Sequence, residues 1–191
     1  MAHERGRFTS RTKARKRAAE VLFEADQRGI ISSQVDLLDL LEERKMVNSA
    51  PSPLPAYTVA IVEGVAGDLD SIDRFIRSHA KGAGIDRIPA VDLAVMRVAV
   101  WEMTSNSEQV PPISAIDEAV SVVKQISTDT SPAYVNAVLD AIRKEVAVAT
   151  PATKGEKTEP EPHPQPALSL DDLSKADFDV DGLLDELLDE Y

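Results

Sequence analysis

At 191 residues with a formal net charge of −12, the chain has room for one ordinary domain with an extension, or for two small lobes. Its 43% hydrophobic content supports a core, which with only 4% aromatic residues must be aliphatic. The absence of cysteine excludes disulfides, thiolate zinc sites and cysteine nucleophiles.

No apolar run reaches the roughly 18–20 residues needed to span a bilayer. The basic N-terminus is not followed by an apolar segment, so no secretory signal is expected and the cytoplasm is the default compartment. Charge is divided along the chain. Residues 1–17 carry seven Lys or Arg against Glu4 alone, whereas residues 151–191 carry three lysines against twelve acids. A mildly acidic body thus lies between a basic head and an acidic tail, which points to a polyanionic partner at one end.

Residues 1–8 read as a flexible basic N-terminus. "RTKARKRAAEVLFEADQ" (11–27) lies in a helix predicted from about Thr9 to Arg28 and stopped by Gly29, with Ala14, Ala18, Val21, Leu22 and Ala25 on its apolar stripe. A second helix runs from Ser33 to about Arg44. "MVNSAPSPLPA" (46–56) breaks the pattern with three prolines and is a loop. From Pro55 to about Ala80, Ile61, Val65, Ile72 and Ile76 keep one face, and Gly67-Asp68 are expected to divide the run into two helices.

"AVDLAVMRVAVWEMT" (90–104) is apolar almost all round, interrupted by Asp92, Arg97 and Glu102, and belongs at the centre of a bundle. In "PISAIDEAVSVVKQIS", Ser114 is expected to cap a helix with Asp117 three residues on. In "TSPAYVNAVLDAIRKEV", Ser131 is expected to cap and Pro132 to take the first helical position. No segment alternates with period two, so the body (9–149) is all-α, a bundle of about seven helices. Residues 150–191 begin with five prolines in "PATKGEKTEPEPHPQP" and continue as an acidic, leucine-bearing tail, an extended linker and a segment expected to be disordered until it meets a partner.

Enzymatic readings find no support. His3, His79 and His163 are scattered, no H-E-x-x-H occurs, and "KGAG" is too short for a phosphate loop. No catalytic residue, metal site or cofactor is expected.

The basic residues of the first helix are the candidate site. Charge runs are ordinarily solvated faces, but cations at a helix N-terminus oppose its dipole by about 0.3–1 kcal/mol each at low salt. Arg11, Lys13, Arg15, Lys16 and Arg17 crowd that end, and phosphates would supply the missing negative charge. Single-stranded RNA also uses exposed aromatics for stacking. Tyr134 lies off its helix's apolar face and is a candidate, with packing at the core edge as the equal alternative. Phe23 is expected to be buried against a neighbouring helix.

Three segments carry a family resemblance: "RTKARKRAAEVLFEADQ", "AVDLAVMRVAVWEM" and "ISAIDEAVSVVKQISTDTSPAYVNAVLDAI". Together they resemble the NusB family of bacterial transcription antitermination factors over roughly residues 9–147. The resemblance implies two stacked three-helix bundles and binding to the boxA sequence of nascent rRNA leader transcripts. It also implies pairing with NusE, a small ribosomal-subunit protein, within the RNA polymerase antitermination complex. Carried onto this chain, the RNA region is Arg11, Lys13, Arg15, Lys16 and Arg17, with Tyr134 near the second cap. Asp92, on the central helix, is either a contact for the basic partner or simply solvated. A homodimer remains open, and no membrane role is implied. The alternative is a non-enzymatic helical scaffold whose basic head docks an acidic protein.

Overall fold

A computed structural model describes residues 9–46, 53–80 and 84–149. They form α1 (Ser10–Gln27), α2 (Gln34–Met46), α3 (Ala56–His79), a 3₁₀ turn (Ile85–Arg87), α4 (Ala90–Ser105), α5 (Pro112–Ile126) and α6 (Ser131–Ala149). Among the described residues there is no strand. All these helices fall within one unit, Met1–Ala152. The basic residues 1–8 and the expected linker and tail from residue 150 lie outside the described residues.

Both ends of α1 are closed by side-chain and backbone chemistry legible in the sequence. The Thr9 hydroxyl accepts from the Thr12 backbone N–H at 3.1 Å, satisfying one of the donors that a helix start leaves free. At the other end Gly29 takes φ +71°, a conformation that costs a glycine little. This lets Gly29 N–H reach Asp26 O and Ile30 N–H reach Ala25 O, both at 3.0 Å, which closes the helix as a Schellman motif.

Two expectations are corrected. Gly67-Asp68 do not divide the third apolar run, because α3 continues from Ala56 to His79. A helical glycine costs only about 1 kcal/mol relative to alanine. Burial of Ile61, Val62, Val65 and Ala66 on one side of it and Ile72 and Ile76 on the other outweighs that cost. Ser114 does not cap α5 either. Pro112 takes the first helical position and Pro111 the cap, and the Ala115 N–H to Pro111 O bond (3.1 Å) closes the first turn.

α4 sits at the centre, packed on α1, α3, α5 and α6. Leu93, Ala94, Val95, Met96, Val98, Ala99, Val100 and Met103 are all buried, which is why no single polar face interrupts its sequence. Its three charged residues are buried as well, and each ties it to a neighbour. Asp92 accepts from the Ser131 hydroxyl of α6 at 2.7 Å. Arg97 forks onto Asp73 of α3 at 2.8 and 2.9 Å and reaches Asp26 of α1 at 3.2 Å. Glu102 receives Arg15 of α1 at 2.9 and 3.0 Å. Between α3 and α4, Gly64 leaves the space that the Trp101 indole fills: a Cβ there would stand 2.1 Å from its Nε1.

Candidate nucleic-acid interface

The first turn of α1 contains no acid, so Arg11 and Lys13 face the positive end of the helix without local compensation. The helical period divides the residues of this segment. Thr12, Ala14, Arg15, Ala18 and Ala19 point inward and are buried, while Arg11 and Lys13 are exposed and Lys16 and Arg17 half-exposed.

Arg15 is therefore not part of the outer cationic surface. It is 6% exposed, and its Nε donates to both Glu102 carboxylate oxygens while its Nη1 lies 3.2 Å from Glu118 Oε2 of α5. Burial alone would pull this guanidinium down. The hydrogen bonds and charge of Glu102 outweigh that and hold it above its ordinary range. The side chain is a structural tie between α1, α4 and α5.

Tyr57, in the first turn of α3, completes this cluster. Its hydroxyl donates to Glu102 Oε1 and accepts from Asn106 Nδ2 at 3.4 Å. Burial first, and then the hydrogen bond to Glu102, push its phenol up to about 12. The ring carries the Arg15 guanidinium 5.6 Å and the Arg11 guanidinium 4.8 Å from its centroid, both within cation–π range.

The outer row keeps an excess of positive charge. Lys16 and Arg17 share one acid, Glu20, at 3.7 and 3.3 Å. Among the described residues, neither Arg11 nor Lys13 has a carboxylate within ion-pair distance. Such an arrangement can bind phosphates without first breaking buried pairs.

Tyr134 and Asp92 sit elsewhere. Asp92 is 1% exposed, so it neither meets a partner nor is solvated in this fold, and both expectations for it are corrected. It anchors the turn between α5 and α6 through Ser131, whose hydroxyl also lies 2.9 Å from those of Ser127 and Thr128. The expected cap is thereby corrected: Ser131 is the first residue of α6 and Pro132 the second, and the Ser131 hydroxyl serves a cross-helix bond instead. Tyr134 is half-buried beside this turn; burial, then the charge of Asp92, push its phenol up. The ten-residue step from Asp92 to Glu102 places this corner about 15 Å along α4 from the Arg15 cluster. Phe23 is half-buried and packed on the core.

The sequence reading missed Tyr57, Glu102 and Glu118 as a unit with Arg15. A signal was present for Arg15 and Glu102. Arg15 falls in register with Ala18, Ala19 and Leu22, and Glu102, on a helix that is apolar almost all round, needs a partner for its buried charge.

Residues 12–144 match the model of the NusB family. A transcription antitermination protein NusB of Saccharopolyspora erythraea is 47% identical over 133 residues, covering 70% of this chain and 86% of that protein. One from Beutenbergia cavernae is 43% identical over 135 residues, covering 69% and 88%. Among solved structures, one described as the antitermination factors NusB and NusE in complex with dsRNA has a chain 27% identical to this one. It matches with a TM-score of 0.55 over 71% of this chain and 96% of that chain.

Proposed function

Because the chain belongs to the NusB family, we propose that it is an RNA-binding transcription antitermination factor that recognises a boxA-type sequence in nascent rRNA leaders together with NusE. It acts in the cytoplasm with RNA polymerase and has no enzymatic activity of its own. Residues 9–149 supply the RNA-binding domain, and residues 150–191 a linker and acidic tail. Arg11, Lys13, Lys16 and Arg17 contact RNA phosphates, and Tyr134 is the stacking candidate at the far corner. Arg15 acts from beneath the surface, by fixing α1.

The observation that carries this reading is the outward cation row at a helix N-terminus, where among the described residues Lys16 and Arg17 share Glu20 and Arg11 and Lys13 have no acid in ion-pair reach. If all four engage single-stranded RNA, log affinity should fall against log salt with a slope of about −2.8. Titration of a boxA-like and a scrambled oligonucleotide at several salt concentrations, with and without NusE, tests it. The expected result is that slope, a preference for boxA, and tighter binding when NusE adds its own contacts. A flat salt response removes α1 from the RNA site.

A further inference from the structure

The cluster beneath α1 holds one group that the RNA-contact reading leaves without a task. Tyr57 is half-buried at the start of α3, and its hydroxyl is fixed from two sides by Glu102 and Asn106. Glu102 is in turn fixed by Arg15. The ring is thereby held in one orientation, and the exposed Arg11 guanidinium lies over it at 4.8 Å.

A surface arginine is ordinarily free in several rotamers, and ordering such a side chain on binding costs about 0.5–1.5 kcal/mol. A carboxylate neighbour would order it but would also cancel its charge. An aromatic face orders it and leaves the charge in place. Stacking also occupies the flat face of the guanidinium, so its in-plane N–H groups remain available to fork onto a phosphate. Arg11 has the aromatic support and, among the described residues, no carboxylate competitor.

Resting on the RNA-binding reading above, we propose that Tyr57 is a positioning residue for RNA: its ring, locked by the Glu102–Arg15 pair, presets Arg11 as a backbone-phosphate contact. The hydroxyl explains why the support is a tyrosine. It ties the ring to the buried pair, so the exposed contact inherits the rigidity of the core.

The test uses the full chain and a fluorescein-labelled boxA-like single-stranded RNA, titrated at several salt concentrations. Tyr57→Leu should weaken binding about two- to five-fold, the range expected for one exposed cation–π contact. It should also make the salt slope shallower by up to about 0.7, the share of one single-strand phosphate contact. A purely structural role would move affinity or melting temperature without removing a counterion from the slope. Tyr57→Phe, which keeps the ring but releases it from Glu102, should recover only part of the loss. In an Arg11→Ala background, Tyr57→Leu should cost nothing further.

Additive losses in that double variant, a Phe variant that binds as tightly as the parent, or an unaltered slope in Tyr57→Leu would each overturn the proposal. Should Tyr57→Leu fail to fold, Arg11→Lys decides at an exposed position, because it keeps the charge but not the flat guanidinium. A loss of about two- to three-fold is expected there, because an ammonium neither stacks flat on the ring nor forks onto a phosphate, and wild-type affinity would overturn the inference. A flat slope in the unmodified protein would instead overturn the RNA-binding reading itself, which keeps the two failures apart.

Discussion

The inward and outward faces of α1 carry the same type of residue in opposite surroundings. Arg15 is 6% exposed and bound to two acids of other helices, whereas Lys16 and Arg17, next along the chain, share the exposed Glu20. The buried cation could be replaced only at the cost of an uncompensated Glu102. The outer ones stand in water and contribute little to stability. What this teaches is that a run of positive charge is not one feature. The helical period sorts it into a tie that holds the fold and a surface that is free to bind.

The largest effect should appear where that sorting is tested directly. Arg15→Ala should destabilise the protein by about 3–5 kcal/mol, because Glu102 is left charged, buried and unpaired. Lys13→Ala should stay within about 0.5 kcal/mol of the parent. Urea unfolding followed by circular dichroism measures both. Similar losses for the two would mean that Arg15 is no more structural than its exposed neighbour, and the division between faces would collapse. It follows that a charge-reversal variant of the outer surface should spare Arg15, since its loss of RNA binding would otherwise report unfolding.

How much of this was readable beforehand depends on the range of the interaction. The stop of α1 at Gly29 and the central, nearly all-apolar α4 follow from local chemistry, and both stand as expected. The same spacing already put Arg15 in line with Ala18, Ala19 and Leu22. Charge counting grouped it instead with Lys16 and Arg17. Local reading failed where a distant contact overrules it: Gly67 lies within α3 because residues on both sides of it are held by the core. Ser131 lends its hydroxyl to Asp92, 39 residues away. The ring of Tyr57 meets α1 only through tertiary folding, and no pattern in "AYTVAIVEG" announces it.

A middle-sized effect sharpens the inward half of the comparison. The seam that holds Arg15 and Glu102 depends on α3 and α4 approaching closely, and Gly64 permits this by leaving room for Trp101. Gly64→Ala should therefore destabilise by about 1–3 kcal/mol despite the better helix propensity of alanine, as overpacking forces the indole aside. The Trp101 fluorescence spectrum should shift with it. A stability gain of the kind alanine gives in open helix positions would show that the indole moves freely, and that the seam is looser than its buried pair suggests.

The smallest effect belongs to the partly exposed pairs, and pH reads it. The Arg44 guanidinium, 2.8 Å away, holds the Glu24 carboxyl below its ordinary range, with Arg28 adding to the effect. The folded state then binds fewer protons than the unfolded chain across that interval. The contribution is complete above the ordinary glutamate value of about 4.3 and is lost as pH falls through the depressed folded one. For a partly exposed pair it should amount to about 0.2–1 kcal/mol. Urea midpoints measured from pH 7 down to about 3 should therefore fall slightly less steeply for Glu24→Gln than for the parent, whereas at pH 7 the variant should start lower. If Glu24→Gln instead cost as much at pH 7 as Arg15→Ala, the outward face of α1 would be holding the fold together too, and burial would not be what separates the two sets of charges.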